Sequence, residues 1–165
     1  KDEAKRRGLP NLRTTPEALK PLLDEKNIAL FEKYGVLNRI EMVSRYEVFI
    51  EEYTRKVQIE AGLAINMART MIIPAINAYL ARLAASANSP WKNDALDEIG
   101  KSVANSLSEV SAKVKVLEAE FAKKNNIEKV KEAMASLRKS VDEAEGIVED
   151  WLWPLPKYRE LLFIY

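Results

Sequence analysis

The sequence predicts an all-α protein: a long helix over residues 39–87, bent at Pro74, with a helical hairpin returning onto it. Three observations carry that fold. Apolar side chains recur at steps of three and four through residues 96–121 and again through 127–151, the seam of helices packed nearly parallel or antiparallel. Asn125-Asn126 supplies a tight reversal between those two segments, and so short a linker forces the antiparallel choice. Residues 39–87 hold a continuous helical pattern that would span roughly 70 Å at about 1.5 Å per residue, more than a small domain needs. Together they imply an antiparallel three-helix bundle over residues 53–151. Short N-terminal helices precede it, and an apolar docking tail over 152–165 follows, all in one helical domain.

Residues 1–13 are charged and contain Gly8 and Pro10, which predicts a flexible or extended lead-in. A helix start follows at Thr14-Thr15-Pro16-Glu17, with Thr15 as the capping acceptor, Pro16 at the first helical position and Glu17 at the positive helix end. Pro21 splits this segment and leaves a short turn before a helix over 24–33. Gly35 suits the left-handed position just past that helix.

Asn38 is the expected N-cap of the long helix. Met42, Tyr46, Phe49, Ile50 and Tyr53 mark its apolar face first; Val57, Ala61, Ala64, Ala68, Met71, Ala75, Tyr79 and Leu83 continue it. The alanines would let another helix approach closely. Pro74 lacks a backbone donor and clashes with the preceding turn, so a bend is expected there, and the helix should fray over residues 87–90. Asp94 is the expected cap of the next helix, whose seam is Leu96, Ile99, Val103, Leu107, Val110, Val114, Leu117 and Phe121. The last helix presents Ile127, Val130, Met134, Leu137, Val141, Ala144, Val148 and Trp151. Beyond it, Pro154 and Pro156 break the helix, and a last short helical turn is expected over 157–163.

The 165 residues carry 26 basic and 25 acidic side chains, a net charge of +1 that gives no general reason to bind nucleic acid or an anionic membrane. Without cysteine there are no disulfides or thiolate ligands, which fits a reducing, cytoplasmic setting. Histidine is missing too, and with it the commonest proton shuttle and metal ligand. The longest uncharged run, residues 70–81, is too short to cross a bilayer and contains Pro74 and Asn77. A chain that begins KDEAKRR rather than with Met is expected to belong to something longer.

Chemistry has few candidates. Glu17, Asp24, Glu25, Glu32, Glu41, Glu47, Glu51, Glu52 and Glu60 include helical pairs such as Glu47 and Glu51, a spacing that could hold a metal or run acid–base chemistry. Arg55, Lys56 and Arg69 are interspersed, so a solvated helix face is the favoured reading. Lys5-Arg6-Arg7 with Lys1 could touch phosphate, but Asp2 and Glu3 sit beside it. No glycine-rich phosphate loop exists, since the five glycines are scattered. Asn66 and Asn77 lie on or beside the apolar face, where each could fix register or face water. No residue is assigned a catalytic, cofactor-binding or metal-binding role.

Residues 19–37 (LKPLLDEKNIALFEKYGVL), 41–46 (EMVSRY), 57–67 (VQIEAGLAINM) and 150–163 (DWLWPLPKYRELLF) resemble the C-terminal region of type III glutamine synthetases. The two ends are distinctive, whereas the hairpin between them matches mainly in helical pattern. The resemblance implies a parent ligase that joins ammonia to glutamate with ATP and magnesium or manganese, through a γ-glutamyl phosphate. In that family the ligands for metal, nucleotide and glutamate lie in preceding domains and include histidine, so no catalytic residue is carried over. It also implies a homo-oligomer, dodecameric in the parent, in which this region packs on its own catalytic domain and on neighbouring subunits. A noncatalytic structural role follows. The competing reading is a freestanding helical interaction module whose tail docks a partner. A di-metal bundle enzyme ranks third, because its glutamates would need histidine partners.

Overall fold

A computed structural model describes residues 2–87, 93–123 and 126–162. Every regular element among them is helical: α1 (Asp2–Arg6), α2 (Thr15–Leu19), α3 (Glu25–Lys33), α4 (Arg39–Met67), α5 (Ile73–Ala87), α6 (Asp94–Lys123), α7 (Ile127–Glu145) and α8 (Tyr158–Leu162). Tight 3₁₀ turns occupy Lys20–Leu23 and Asp150–Leu152, and a wide π turn occupies Ala68–Ile72. Two compact units divide the chain, Lys1–Lys56 and Val57–Tyr165.

Capping chemistry sets the elements of the first unit. α2 starts one residue earlier than expected. Thr14, not Thr15, is the cap: its Oγ1 accepts the Glu17 amide at 3.4 Å while the Glu17 carboxylate accepts the Thr14 amide at 3.2 Å. This reciprocal pair needs a Thr and a Glu three apart, and only Thr14 stands at that distance from Glu17. Gly35 adopts φ +63°, as its place past α3 demands. There the Val36 amide donates to Phe31 and the Gly35 amide to Glu32, each at 3.0 Å. Asn38 opens α4 with a second reciprocal cap, its Oδ1 accepting the Glu41 amide at 2.9 Å and its own amide donating to Glu41 at 2.8 Å. Ile28 and Met42 are the buried apolar side chains of this unit among the described residues. Phe49, expected in the seam, is exposed, and it borders a hollow with Leu19 and Tyr53.

In the second unit the expected bend at Pro74 becomes the π turn just before it. Pro74 has no N–H to give the Thr70 carbonyl, and its ring crowds that oxygen. The chain widens by one residue instead, and the Ile73 amide donates five residues back to Ala68. That extra residue shifts the face. Ile72 and Ile76 are fully buried where Met71 was expected, while Ala61, Ala68 and Ala75 keep their buried places. Asn66 and Asn77 both face water.

α6 is the element the others share: α7 packs along it, and α5 with the π turn packs on it as well. Val103, Val110, Val114 and Leu117 are fully enclosed. α7 contributes Val130, Leu137 and Ala144, together with Ala133 and Ser140, which the expected seam omitted. Ser140 is tolerated there because its hydroxyl donates to Glu109 on α6 at 3.0 Å. The same bond ties α7 to α6 across the hairpin. Ile99, placed in the seam by its spacing, is exposed. The cap of α6 is Asn93 rather than Asp94, with its Oδ1 accepting the Ala95 amide at 2.9 Å. At the hairpin, Asn126 caps α7 through the Lys129 amide, whereas Asn125 lies outside the described residues.

α7 stops at Glu145, with Gly146 as its cap, so the spacing that pointed Trp151 inward no longer applies. Trp151 is 86% exposed, and Trp153 is the buried tryptophan at 6%. The turn at Asp150–Leu152 packs on α5, and Arg82 on α5 pairs with Glu149 at 2.6 Å.

Arg69 and Glu118 form a two-pronged ion pair between the π turn and α6, at 2.9 and 2.7 Å. The Arg69 hydrogen bonds hold the Glu118 carboxyl below its usual 4.5, with slight burial opposing. A carboxyl lowered by folding adds stability above its unfolded pKa and loses it as pH falls through the folded value. The melting-point gap between the native chain and Glu118→Gln should therefore close as pH drops from about 6 to about 3. A gap that stays constant over that range would mean the pair adds nothing.

Candidate functional site

Most of the candidate carboxylates are built into helix starts and ion pairs. Glu17 accepts the Arg13 and Thr14 amides, and Glu41 accepts the Asn38 amide, so both complete caps. Glu51 pairs with Arg55 and Glu52 with Lys56, each at 2.6 Å one helical turn away. Glu25 forms a forked pair with Arg39, and Glu32 accepts the Arg39 amide at 3.0 Å. Glu47, the proposed companion of Glu51, is exposed, as is Glu60. Among the described residues, no three Asp or Glu side chains come close enough to hold a metal ion. The basic run is engaged as well: Arg6 and Arg7 both bond Glu3, while Lys1 lies outside the described residues.

Electrostatics agree with this reading. Hydrogen bonds from Arg39 lower the Glu25 pKa, backbone amides of Arg13 and Thr14 lower that of Glu17, and Lys123 lowers that of Glu120. Each shift favours the ionised form, the opposite of what a general acid needs near neutral pH.

Two hollows stand out among the described residues. One, about 440 Å³, lies in the tail beside Asp150, Trp151, Trp153 and Lys157. Its Lys157 ammonium is held by Asp150, donating to the backbone carbonyl at 2.8 Å and to the carboxylate. The other, about 290 Å³, lies in the first unit between Thr15, Leu19, Phe49, Glu52, Tyr53 and Lys56. In each hollow the lysine is ion-paired, Lys157 with Asp150 and Lys56 with Glu52. Arg39–Ser86 is long and apolar enough to cross a membrane by composition, but Ile72 and Ile76 within it are buried, and Arg69 and Arg82 are paired across the fold.

What remains distinctive is apolar surface. Leu30, Tyr34, Val36, Ile40 and Val43 are exposed around the turn between α3 and α4. Sequence reasoning missed them because their spacing is that of an ordinary core face. The signal was their density around a glycine turn.

A sequence profile described as the glutamine synthetase C-terminal domain matches residues 1–90. The chain is 36% identical to a type-3 glutamine synthetase of Dictyostelium discoideum, over 99% of its own length and 25% of that protein. It is 31% identical to glutamine synthetases of Bacteroides fragilis and Butyrivibrio fibrisolvens, over 99% and 98% of this chain and 25% and 26% of theirs. The chain thus spans about a quarter of the length of these relatives.

Proposed function

The chain belongs to the glutamine synthetase C-terminal domain family, and from that premise we propose that it is a noncatalytic helical domain of a longer ligase. That ligase joins ammonia to glutamate at the expense of ATP, in the cytoplasm, with magnesium or manganese at its centre. No residue here is assigned to nucleotide, metal or glutamate. The observation that carries the reading is the extent of the match: nearly all of this chain, but only a quarter of each relative. The chemistry of the side chains supports it, since most of the candidate carboxylates are engaged in caps and ion pairs and the sequence contains no histidine.

The role is structural. The domain packs on the catalytic part of its own polypeptide and on neighbouring subunits, and it supports assembly of a homo-oligomer. Replacing residues 94–150 of the longer polypeptide by a short glycine-serine linker should yield a soluble species of lower order by light scattering. Full-size assemblies from the shortened protein would refute the assembly role.

A further inference from the structure

The first unit is poorly provided with core. Ile28 and Met42 are its buried apolar side chains among the described residues, while Leu30, Tyr34, Val36 and Ile40 are 50%, 69%, 61% and 79% exposed and Val43 is 37% exposed. Single exposed apolar residues are ordinary, but these five flank one turn. Leu30 on α3 and Tyr34, the cap residue just past its end, stand four residues apart, Ile40 and Val43 stand one turn apart on α4, and Val36 lies between the helices.

The corner that presents them is fixed in advance. Gly35 closes α3, the Asn38–Glu41 cap opens α4, and Arg39 ties the two helices through the Glu25 carboxylate and the Glu32 bond to its amide. A partner docking here orders no loop, which removes one of the main costs of association. Arg39 and Glu25 already neutralise each other within the chain, so covering that pair strands no ion, while the Lys33 ammonium stands over the Tyr34 ring at 5.8 Å and rims the patch.

We propose that this corner is a docking surface for the part of the longer polypeptide that the relatives possess beyond this chain. The proposal rests on the function proposed above and names the face that makes the contact. Scale selects this occupant. A freestanding interface uses roughly 20–30 residues a side, far more than five. A small patch suffices when its partner is covalently tethered, because linkage raises the effective concentration to the order of millimolar. The relatives are about four times the length of this chain, so most of their polypeptide is available to cover the patch.

Hydroxyl-radical footprinting of the 165-residue chain and of the longer polypeptide, read peptide by peptide, tests this. Tyr34 and Ile40 should label freely in the chain alone and be protected at least about fivefold in the longer protein, as side chains withdrawn from water are. Ile40→Glu in the longer protein, at a position too exposed to disturb α4, should restore labelling of Tyr34. Equal labelling of Tyr34 in both proteins would overturn the proposal. So would protection in the chain alone accompanied by a dimer mass in light scattering, which would make a second copy the occupant. Glutamine formation by the same longer protein separates the two ideas. Turnover with Tyr34 exposed sinks only the docking surface, whereas no turnover sinks the function on which it rests.

Discussion

Val110→Asp should abolish the cooperative melt of the Val57–Tyr165 unit and most of its helical circular dichroism. Val110 is fully enclosed at mid-length on α6, the helix on which both α5 and α7 pack. A carboxylate placed there gains no cationic partner by design. Leaving a charge buried and uncompensated costs about 3–5 kcal/mol, and the lost valine packing adds about 1 kcal/mol or more. Small domains hold only about 5–15 kcal/mol in all. Conversely, Val116→Asp on the same helix replaces an exposed side chain and should change stability by about 0.5 kcal/mol or less. A melt for Val110→Asp that matches the native chain would show that this seam does not hold the unit together.

The tail offers the second large effect. Trp153→Ala should cost about 3–5 kcal/mol, or on the order of 10 °C in melting temperature, because it empties a buried site beside the turn that packs on α5. Trp151→Ala, two residues earlier, should cost about 0.5 kcal/mol or less, since its ring is in water. Trp153→Phe supplies a further contrast. The Trp153 indole N–H is enclosed without an acceptor among the described residues, so losing it removes an unsatisfied donor along with some packing. Phe should therefore recover much of what Ala loses. Equal melting temperatures for the two alanine variants would restore the inward Trp151 that simple spacing implies.

That pair of tryptophans shows where sequence reading stops. Through Val103, Val110, Val114 and Leu117 on α6, and Val130, Leu137 and Ala144 on α7, the spacing of three and four found the core, because an uninterrupted helix keeps its phase. Phase is lost wherever the helix changes pitch or ends. The π turn before Pro74 moved burial to Ile72 and Ile76, and the end of α7 at Glu145 released Trp151. Phase alone is also insufficient: Ile99 has the right phase on α6 and is nevertheless exposed. Caps were legible only to within a residue. Thr14 could have been chosen over Thr15 from the Glu three places on, whereas Asn93 over Asp94 depends on which side chain meets the second amide.

The candidate chemistry divided differently. The solvated reading of Glu51, Glu52, Arg55 and Lys56 needed only their helical spacing, and the four side chains form exposed ion pairs one turn apart. The apolar corner at Leu30–Val43 was not legible, because periodicity reports that a residue shares a face and says nothing about what covers that face. Among the described residues of Lys1–Lys56, none covers that face.

The central claim is that this domain supports a ligase without performing its chemistry. The most direct measurement is glutamine formation by the purified 165-residue chain supplied with glutamate, ammonia, ATP and magnesium. The account predicts no turnover above the protein-free reaction. Turnover that follows the chain through purification and disappears in Val110→Asp would contradict it.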